Sequence, residues 1–308
     1  MTGMQPPVRF GLQTPQQHGS WQEMLSLWQE VDALGFDSAW VFDHFLPIFS
    51  DPTGPCLEGW TTLSALAMVT KKVRLGVMVT GNTYRHPAVL AKMATTVDII
   101  SGGRLILGIG GGWFELEHQT YGIAFPKVTE RLKMLDETLE VVKRLWTEER
   151  VNFTGRYYQL KEALLNPQPV QRPHPPILVG AGGENVALGI VARHADMWNT
   201  FGSPAVFARK IAVLAEHCRR VGRDPDTIEK SVLLQLTLSD DQETKRKAGE
   251  NENWGMLVGS PDDVCQQIER YIAVGVTHII ISVSAPYDRA ALHRFASEVM
   301  PTFRQKQT

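Results

Sequence analysis

The feature that most constrains the fold of this chain is an alternation of strand-like and helix-like segments along its whole length. Eight short apolar runs rich in β-branched residues alternate with segments of helical periodicity. Such alternation is typical of parallel strands, because parallel strands need a long crossover connection, usually a helix. The predicted strands are Val8–Thr14, Ser38–Phe42, Val73–Thr80, Arg104–Ile109, Pro176–Gly180, Asp196–Thr200, Ser231–Leu238 and His278–Val283.

Capping residues mark where several of the predicted helices begin and end. Ser20 and Glu23 form a capping-box pattern ahead of the first helix, and Gly35 can end that helix in a left-handed turn. Ser203 and Ser260, each followed by proline, predict the starts of two later helices. The remaining helices are predicted at about 87–100, from Pro126 onward, at about 184–193 and over Asp288–Val299.

Two architectures fit this alternation, a closed barrel and a doubly wound open sheet. The open sheet normally carries a G-x-G-x-x-G loop after its first strand, but the first strand here ends in Thr14-Pro15-Gln16-Gln17. The glycine clusters at 108–112 and 180–183 follow the fourth and fifth strands, and neither completes that fingerprint. We therefore predict an α/β fold, a (β/α)8 TIM barrel, with its active site at the carboxyl ends of the strands.

The length of 308 residues exceeds that of a bare barrel of roughly 250 residues. We expect a single domain over residues 1–308, with insertions near 45–60, 150–175 and 240–259. The first insertion is a Pro/Gly-bearing loop that could cover the barrel mouth. The second contains a small hairpin that turns at Thr154-Gly155, and the third is the most polar segment of the chain.

Composition excludes several classes of function. A net charge of −2 excludes a strong electrostatic attraction to nucleic acid, and no apolar stretch approaches the roughly 20 residues of a membrane span. The first ten residues lack the pattern of a signal peptide. Cys56, Cys218 and Cys265 are an odd set and lie far apart, which argues against a disulfide scaffold. We expect a cytoplasmic globular protein with neither a nucleic-acid nor a membrane partner.

Polar and glycine-rich groups collect at the predicted strand ends. His44 could exchange protons near neutral pH with Asp43 orienting it, or it could be a hydrogen-bonded structural histidine. Gly180–Gly183 opens directly into a helix, which suits either a phosphate or tight packing. Gly110–Gly112 could lie against an aromatic ring or form a loose turn.

Motifs for metal-dependent or nucleophilic catalysis are missing from the sequence. It contains no His-x-x-x-His pair, no G-x-S-x-G elbow and no phosphate loop ending in Gly-Lys-Ser/Thr. Glu115–His118 resembles a metal cluster, but adjacent positions on a helix point to different faces. We expect no metal, and the chemistry is therefore assigned to a bound organic cofactor.

Motifs at the strand ends and in the neighbouring helices carry a family resemblance over nearly the whole chain. They are Gly35–Trp40, Asp43-His44, Thr80–Pro87, Gly108–Trp113, Arg131 with Leu135–Glu137, Phe153–Tyr158, Pro175–Gly180 and Ala195–Asn199. In this order and spacing, the chain resembles the bacterial-luciferase-like monooxygenase superfamily. Within that superfamily it is similar to the oxidoreductases that depend on a deazaflavin, coenzyme F420.

The resemblance implies a (β/α)8 barrel, frequently dimeric, that holds a flavin or deazaflavin in its mouth. The family's third strand carries a bulge, often with a non-proline cis peptide, which falls at Met78-Val79 here. Gly110–Gly112 would pass beside the ring, Gly180–Gly183 would take the phosphate, and His44 matches the active-site histidine. We assign to the cofactor Met78, Val79, Thr80, Asn82, Gly110, Gly111, Gly112, Gly180, Ala181, Gly182, Gly183 and Glu184.

The sugar-phosphate dehydrogenases of this family differ from the chain at two positions. They place a proton-donating glutamate where this chain has Trp113, and their phosphate-binding lysine has no counterpart in Thr200–Ser203. An uncharged or aromatic substrate is therefore expected. The pocket for it is predicted to be lined by Trp60, Trp113, Trp198 and Phe201.

The preferred prediction is that the protein is an oxidoreductase that transfers a hydride between coenzyme F420 and a small organic substrate. His44 would exchange the accompanying proton, and Asp43 would hold the imidazole. One alternative is a monooxygenase that uses O2 and reduced FMN, supplied by a separate cofactor reductase. A second alternative is a non-catalytic flavin-binding protein, against which the retained Asp43-His44 pair argues. The family resemblance also implies a homodimer.

Overall fold

The computed structural model of the protein describes residues 7–241 and 255–304. Its strands are β1 Arg9–Gln13, β2 Ser38–Val41, β3 Arg74–Val77, β4 Thr80–Gly81, β5 Leu105–Gly110, β6 Val151–Thr154, β7 Gln159–Ala163, β8 Ile177–Gly180, β9 Met197–Thr200, β10 Glu229–Leu238, β11 Met256–Gly259 and β12 His278–Ser282. Eight strands pair in parallel in the order β1-β2-β3-β5-β8-β9-β10-β12, and β12 pairs with β1. The sheet is therefore closed, and the predicted (β/α)8 TIM barrel is confirmed.

Helices pack around this barrel. They are α1 Trp21–Leu34, α2 Gly59–Val69, α3 Pro87–Ser101, α4 Glu115–Tyr121, α5 Val128–Thr147, α6 Ala187–His194, α7 Pro204–Arg220, α8 Pro261–Ala273, α9 Arg289–Arg294 and α10 Met300–Arg304. The capping boxes at Ser20 and Ser260 are both formed, and Gly35 ends α1 in the left-handed conformation. Within the described ranges, no helix combines the length and apolar character that crossing a membrane requires.

The inside of the barrel is filled by a small cluster of apolar side chains around Trp40, which is completely buried. A Cβ on Gly76 of the adjacent strand would lie 2.6 Å from the indole and 2.4 Å from the carbonyl oxygen of Ile106. The indole therefore occupies space that a side chain at position 76 would need. The other members of this inner cluster are Met78, Ile106, Leu178, Met197 and Ile280.

Polar side chains close the amino-terminal end of the barrel. The Trp40 indole N–H donates to Ser38 Oγ at 2.8 Å, and Ser38 Oγ lies 2.9 Å from His278 Nε2. His278 Nδ1 is 2.7 Å from Glu229 Oε1, and Arg9 donates to Oε2 of that carboxylate at 2.7 Å. Burial would raise the pKa of Glu229, but His278 and Arg9 outweigh it and lower the pKa. This network lies opposite the strand ends that bear the candidate site.

The segments predicted as insertions differ in part from expectation. The loop after β2 ends earlier than predicted, because α2 already begins at Gly59. The hairpin formed by β6 and β7 is present, as predicted. In the third segment, Met256–Gly259 forms β11, which extends the sheet beside β10. Positions 242–254 lie outside the described residues.

The closing helix also departs from a single α-helical segment. The structure divides it into α9, a π-helical turn over Phe295–Val299, and α10. Phe295 and Val299 of the π-helical turn are completely buried. The turn therefore packs its apolar side chains into the core, where helical periodicity alone predicts an uninterrupted α-helix.

Candidate active site

A buried carboxylate holds the imidazole of His44 at the carboxyl end of the barrel. His44 follows β2, whereas Glu117 lies in the first turn of α4, after β5. His44 Nδ1 is 2.7 Å from Glu117 Oε1, and the Tyr84 hydroxyl donates to the same oxygen. The Phe45 backbone N–H donates to Glu117 Oε2 at 2.8 Å. Within the described ranges, His44 Nε2 has no hydrogen-bond partner.

These contacts fix the charge of Glu117. Burial by itself would raise the pKa of Glu117, but the hydrogen bonds from His44, Tyr84 and the Phe45 N–H lower it below the ordinary value of 4.5. Burial and the adjacent carboxylate raise the pKa of Tyr84, so the phenol stays protonated and donates. An anionic Glu117 accepts a hydrogen bond from Nδ1–H of His44, which leaves Nε2 as the nitrogen that can exchange a proton.

Asp43 does not orient His44, which corrects the sequence prediction. Its carboxylate accepts two N–H groups of Arg85, at 2.7 and 3.0 Å, and the Gly81 N–H at 3.1 Å. Arg85 also donates to Glu58 at 2.6 Å. Burial would lower the pKa of Arg85, but the two carboxylates raise it. Consecutive side chains of an extended segment point in opposite directions, so Asp43 and His44 reach different partners.

The bulge predicted in the third strand is present between β3 and β4. The peptide bond between Met78 and Val79 is cis. Gln13, at the end of β1, donates its side-chain N–H to the Met78 carbonyl at 2.9 Å. The Val79 side chain lies against two neighbouring strands, because a Cβ on Gly110 would be 2.8 Å from it and one on Gly180 would be 3.0 Å from it. Close packing against Val79 therefore explains why both positions are glycine.

The other glycines assigned to the cofactor fall into two kinds. Gly112 has a φ of +73°, a conformation that favours glycine whatever the surroundings. A Cβ on Gly111, Gly182 or Gly183 would instead meet its nearest atom at 3.5, 3.5 and 3.6 Å, which are ordinary contact distances. Protein packing does not require glycine at these three positions. Close approach of a ligand to the backbone would explain them.

A buried acceptor without a partner lies beside the bulge. Asn82 donates its backbone N–H to Gly110 and its side-chain N–H to the Arg131 carbonyl, at 3.0 and 3.4 Å. In the described part of the chain, its Oδ1 accepts no hydrogen bond although it is buried. A buried carbonyl oxygen without a donor is destabilising. A ring N–H of a flavin or deazaflavin could supply that donor, so the residues present fit such a heterocycle.

Cationic side chains surround the turn that follows β8. Lys210 of α7 donates to the Gly182 carbonyl, and its Nζ lies 3.8 Å from Glu184 Oε1. Arg209 lies 3.0 Å from the same carboxylate oxygen. Positions 200–203, immediately beyond the sixth barrel strand, contain no lysine. Lys210 lies further along, and α7 brings its ammonium group back to the turn.

Two of the residues predicted to line a substrate pocket belong to the core, which corrects that prediction. Trp60 and Trp198 are completely buried. The Trp60 indole donates to Thr80 Oγ1 at 3.0 Å, and the Trp198 indole donates to the Ala181 carbonyl at 2.8 Å. A ring without exposed surface cannot line an open pocket. Each ring instead supports, from within the core, a residue assigned to the cofactor.

The other two predicted pocket residues, Trp113 and Phe201, are exposed. Trp113 follows β5 and stands edge-on to His44, with ring centroids 5.4 Å apart and an interplanar angle of 73°. Phe201 follows β9 and has 46% of its surface exposed. Trp113 is therefore the predicted pocket residue that the structure brings next to the histidine.

Sequence reasoning missed Glu117, Tyr84, Arg85 and Lys210 as parts of the site. Glu117 and His118 are both buried although they are adjacent in α4, and they reach different partners, since Glu117 binds His44 whereas His118 binds Thr83. No local pattern links positions 44 and 117. Among residues 7–241 and 255–304, no group of three or more His, Cys, Asp or Glu side chains could hold a metal ion.

Comparison with known proteins places this geometry in a family. The model of a family described as luciferase-like monooxygenase matches residues 3–254. An F420-dependent glucose-6-phosphate dehydrogenase of Microbacterium testaceum is 25% identical, over 97% of this chain and 98% of its own. The F420-dependent hydroxymycolic acid dehydrogenase of Mycobacterium tuberculosis is 32% identical, over 76% of this chain and 63% of its own.

Solved structures share the fold at low identity. An F420-dependent secondary alcohol dehydrogenase aligns with a TM-score of 0.85 and 22% identity, over 97% of this chain and 100% of its own. A long-chain alkane monooxygenase aligns with a TM-score of 0.84 and 15% identity, over 98% of this chain and 92% of its own. Fold and site thus define a (β/α)8-barrel protein with a histidine-bearing mouth. The chain belongs to the luciferase-like monooxygenase family, which confirms the resemblance predicted from its motifs.

The lowered pKa of Glu117 predicts a pH-dependent contribution to stability. A carboxylate whose pKa falls on folding stabilises the fold above its ordinary value of 4.5, and this contribution is lost as pH falls through the folded value. We expect Glu117→Gln to lower the free energy of unfolding by about 1.5–3 kcal/mol at pH 7, because hydrogen bonds to a charged group are lost. The difference should shrink as pH falls below 4.5.

The measurement is urea unfolding of wild type and variant between pH 7 and pH 3, followed by tryptophan fluorescence. Glu115→Gln is the matched control, because Glu115 lies in the same helical turn but is exposed. A difference for Glu117→Gln that stays constant over this pH range would contradict the assignment.

Proposed function

We propose that this protein is an oxidoreductase that transfers a hydride between coenzyme F420 and a small organic molecule. The observation that carries the proposal is the His44–Glu117 pair at 2.7 Å, in which a buried carboxylate fixes the histidine and leaves Nε2 for proton exchange. Within the described residues, Asn82 Oδ1 has no hydrogen-bond donor, which suits a heterocyclic ring with an N–H group. Gly111, Gly182 and Gly183 leave backbone that a ring or a phosphate could approach closely.

The names of the relatives support the choice of cofactor. Relatives that align over 97% of this chain are named F420-dependent glucose-6-phosphate dehydrogenases, and the relative at 32% identity is named an F420-dependent dehydrogenase as well. Two monooxygenases among the similar structures, RslO1 from Streptomyces bottropensis and the long-chain alkane monooxygenase, are 26% and 15% identical, below the 32% of the F420-dependent hydroxymycolic acid dehydrogenase. An FMN-dependent monooxygenase is therefore the less supported alternative.

Residues of four strand ends would hold the cofactor. The Met78-Val79 bulge and Asn82 would contact the ring, with Gly111 on another side, and the Gly182-Gly183 turn with Lys210 would take the phosphate. When bound, the deazaflavin supplies a ring carbon that gives or accepts a hydride. The protein's own contribution is to orient this ring, to limit access of water and to provide a proton carrier.

His44 is the proton carrier in this proposal. A proton from a substrate hydroxyl would be taken up at Nε2, and it would be returned from there in the reverse reaction. Because Glu117 remains ionised and accepts a hydrogen bond from Nδ1–H, its negative charge stabilises the imidazolium that forms. Tyr84 and the Phe45 N–H hold the carboxylate in place, so the imidazole keeps one orientation. Glu117 is thus a positioning residue for His44.

Cofactor identity is tested by titrating the cofactor-free protein with oxidised F420 and, separately, with FMN. We expect F420 to bind at least about tenfold more tightly, a difference near 1.4 kcal/mol. Gly183→Ala should weaken F420 binding, because its methyl would occupy the space proposed for the phosphate. The nearest atom, 3.6 Å from that Cβ, leaves the fold itself unstrained. Binding is read from fluorescence polarisation of F420.

Gly189→Ala, inside α6, is the matched control and should bind F420 like wild type, because its methyl would face the His217 ring and not the space proposed for the phosphate. Both variants should keep the thermal unfolding midpoint of the parent protein within a few degrees, since each adds one methyl without a close contact. Tight FMN binding without F420 binding would refute the proposed cofactor.

The role of His44 is tested with His44→Gln. We expect turnover to fall roughly 10²- to 10⁴-fold, the usual contribution of a positioned proton carrier, while F420 affinity stays within about twofold. Turnover is followed by F420 absorbance with glucose 6-phosphate, 2-propanol and 1-phenylethanol as candidate substrates. His86→Gln, at an exposed histidine that caps α3, should retain activity. Undiminished turnover in His44→Gln would refute the assignment.

We also propose that the chain is one domain and forms a homodimer through the outward faces of α2 and α3. Helix α2 contains no charged residue, yet Met68 on it is 70% exposed, and Val89 on α3 is 54% exposed. Ile99 and Ile100, near the end of α3, are each 39% exposed. Exposed apolar side chains on two helices that pack against each other are typical of an interface.

Light scattering coupled to gel filtration tests the dimer. The expected mass is about twice the 34.4 kDa of one chain, and Met68→Lys should shift it toward one chain by placing a charge in the interface. Val221→Lys, at an exposed apolar residue after α7, is the control and should leave the mass unchanged. A wild-type mass of one chain at micromolar concentration would refute the proposal.

A further inference from the structure

The loop after β2 is held firmly over the barrel mouth. The Gln17 side chain pairs with Ile48 through both of its polar atoms, at 2.8 Å to the Ile48 N–H and 3.2 Å to the Ile48 carbonyl. The His18 ring bonds Ser50 Oγ at 2.8 Å, and the His18 backbone N–H donates to Pro55. Phe49 therefore lies between two anchored neighbours, Ile48 and Ser50.

Two features of Phe49 are unfavourable for the stability of the folded protein. Its φ is +56°, a conformation that residues with a Cβ seldom adopt, and its side chain is 75% exposed. The backbone conformation is strained, and the exposed ring adds no buried apolar surface to the core. Outlying backbone conformations of this kind concentrate at functional sites, where the surrounding structure enforces them.

The exposed ring stacks on a second exposed ring that leads to the histidine. Phe49 and Trp113 are nearly parallel, with centroids 5.5 Å apart and an interplanar angle of 16°. Trp113 is 51% exposed and contacts His44 edge-on. A continuous aromatic surface, here called the aromatic wall, therefore runs from Phe49 through Trp113 to the proton carrier.

The buried and partly buried charged groups around His44 are already paired with each other. Asp43 and Glu58 bind Arg85, and Glu117 holds His44. A charged substrate at this place would compete with those pairs. A flat uncharged molecule would instead cover exposed aromatic surface, which is favourable both by apolar burial and by ring stacking.

We propose that the aromatic wall, Phe49 with Trp113, binds the substrate and selects an uncharged aromatic alcohol or the corresponding carbonyl compound. This inference rests on the proposed function for its chemistry. In the alcohol direction, the carbinol C–H bond breaks and its hydride reduces oxidised F420, while the O–H proton passes to His44 Nε2 and the C=O bond forms. The substrate is oxidised and the cofactor reduced by two electrons, and the reverse reaction restores both.

Binding to the wall is tested without cofactor. Cofactor-free protein is titrated with 2-acetonaphthone by equilibrium dialysis, with 1-cyclohexylethanone as the non-planar ketone and glucose 6-phosphate as the charged ligand. We expect the naphthyl ketone to bind most tightly and Phe49→Ala to weaken it roughly 3- to 10-fold, the range of an aromatic pair. Phe49→Tyr should retain binding. Tyr121→Ala, at an exposed ring that packs on Phe45 instead, should bind like wild type.

Turnover with F420 gives a second, separate readout. For 1-(2-naphthyl)ethanol, Phe49→Ala should raise KM by a similar factor and leave kcat within about twofold, because a wall binds ground state and transition state alike. Equal dialysis affinity in wild type and Phe49→Ala, or tighter binding of glucose 6-phosphate, would overturn the aromatic wall. If the dialysis results hold but F420 does not bind, the proposed function fails and the wall stands.

Discussion

Filling the inside of a narrow strand barrel is the constraint on which the rest of this structure depends. Trp40 occupies the middle of the barrel because Gly76 on the next strand leaves room for it. Ser38 and His278 satisfy the polar groups below the indole. The opposite end remains for chemistry, and there β5 and β8 end in glycines that pack against Val79.

At that end, buried charges are arranged in two closed sets. One joins Glu117 to His44 and Tyr84, and the other joins Arg85 to Asp43 and Glu58. A buried charge is tolerated when partners of suitable geometry surround it. Each set also ties together loops that follow different strands. The histidine is therefore fixed by the protein itself, as its proposed role as a proton carrier requires.

Local signals predicted most of the barrel. Capping boxes and alternating periodicity are properties of neighbouring residues, and the strands and helices that they indicate are present. Helix α2 was not predicted, since its run from Gly59 to Val69 is apolar on nearly all faces and lacks helical periodicity. The aromatic character of Trp60 and Trp198 suggested a pocket. Only packing reveals that both rings are turned inward.

Short patterns and family motifs are sufficient to predict the order of the strands, the bulge position, the glycine turns and the histidine after the second strand. The carboxylate that holds this histidine depends on tertiary structure, since Glu117 is 73 positions away from His44. Tertiary structure also determines which glycines have space beside them for a Cβ, and it stacks Phe49 on Trp113. Barrel closure brings these residues together, and contacts across strand ends leave no local trace in the chain.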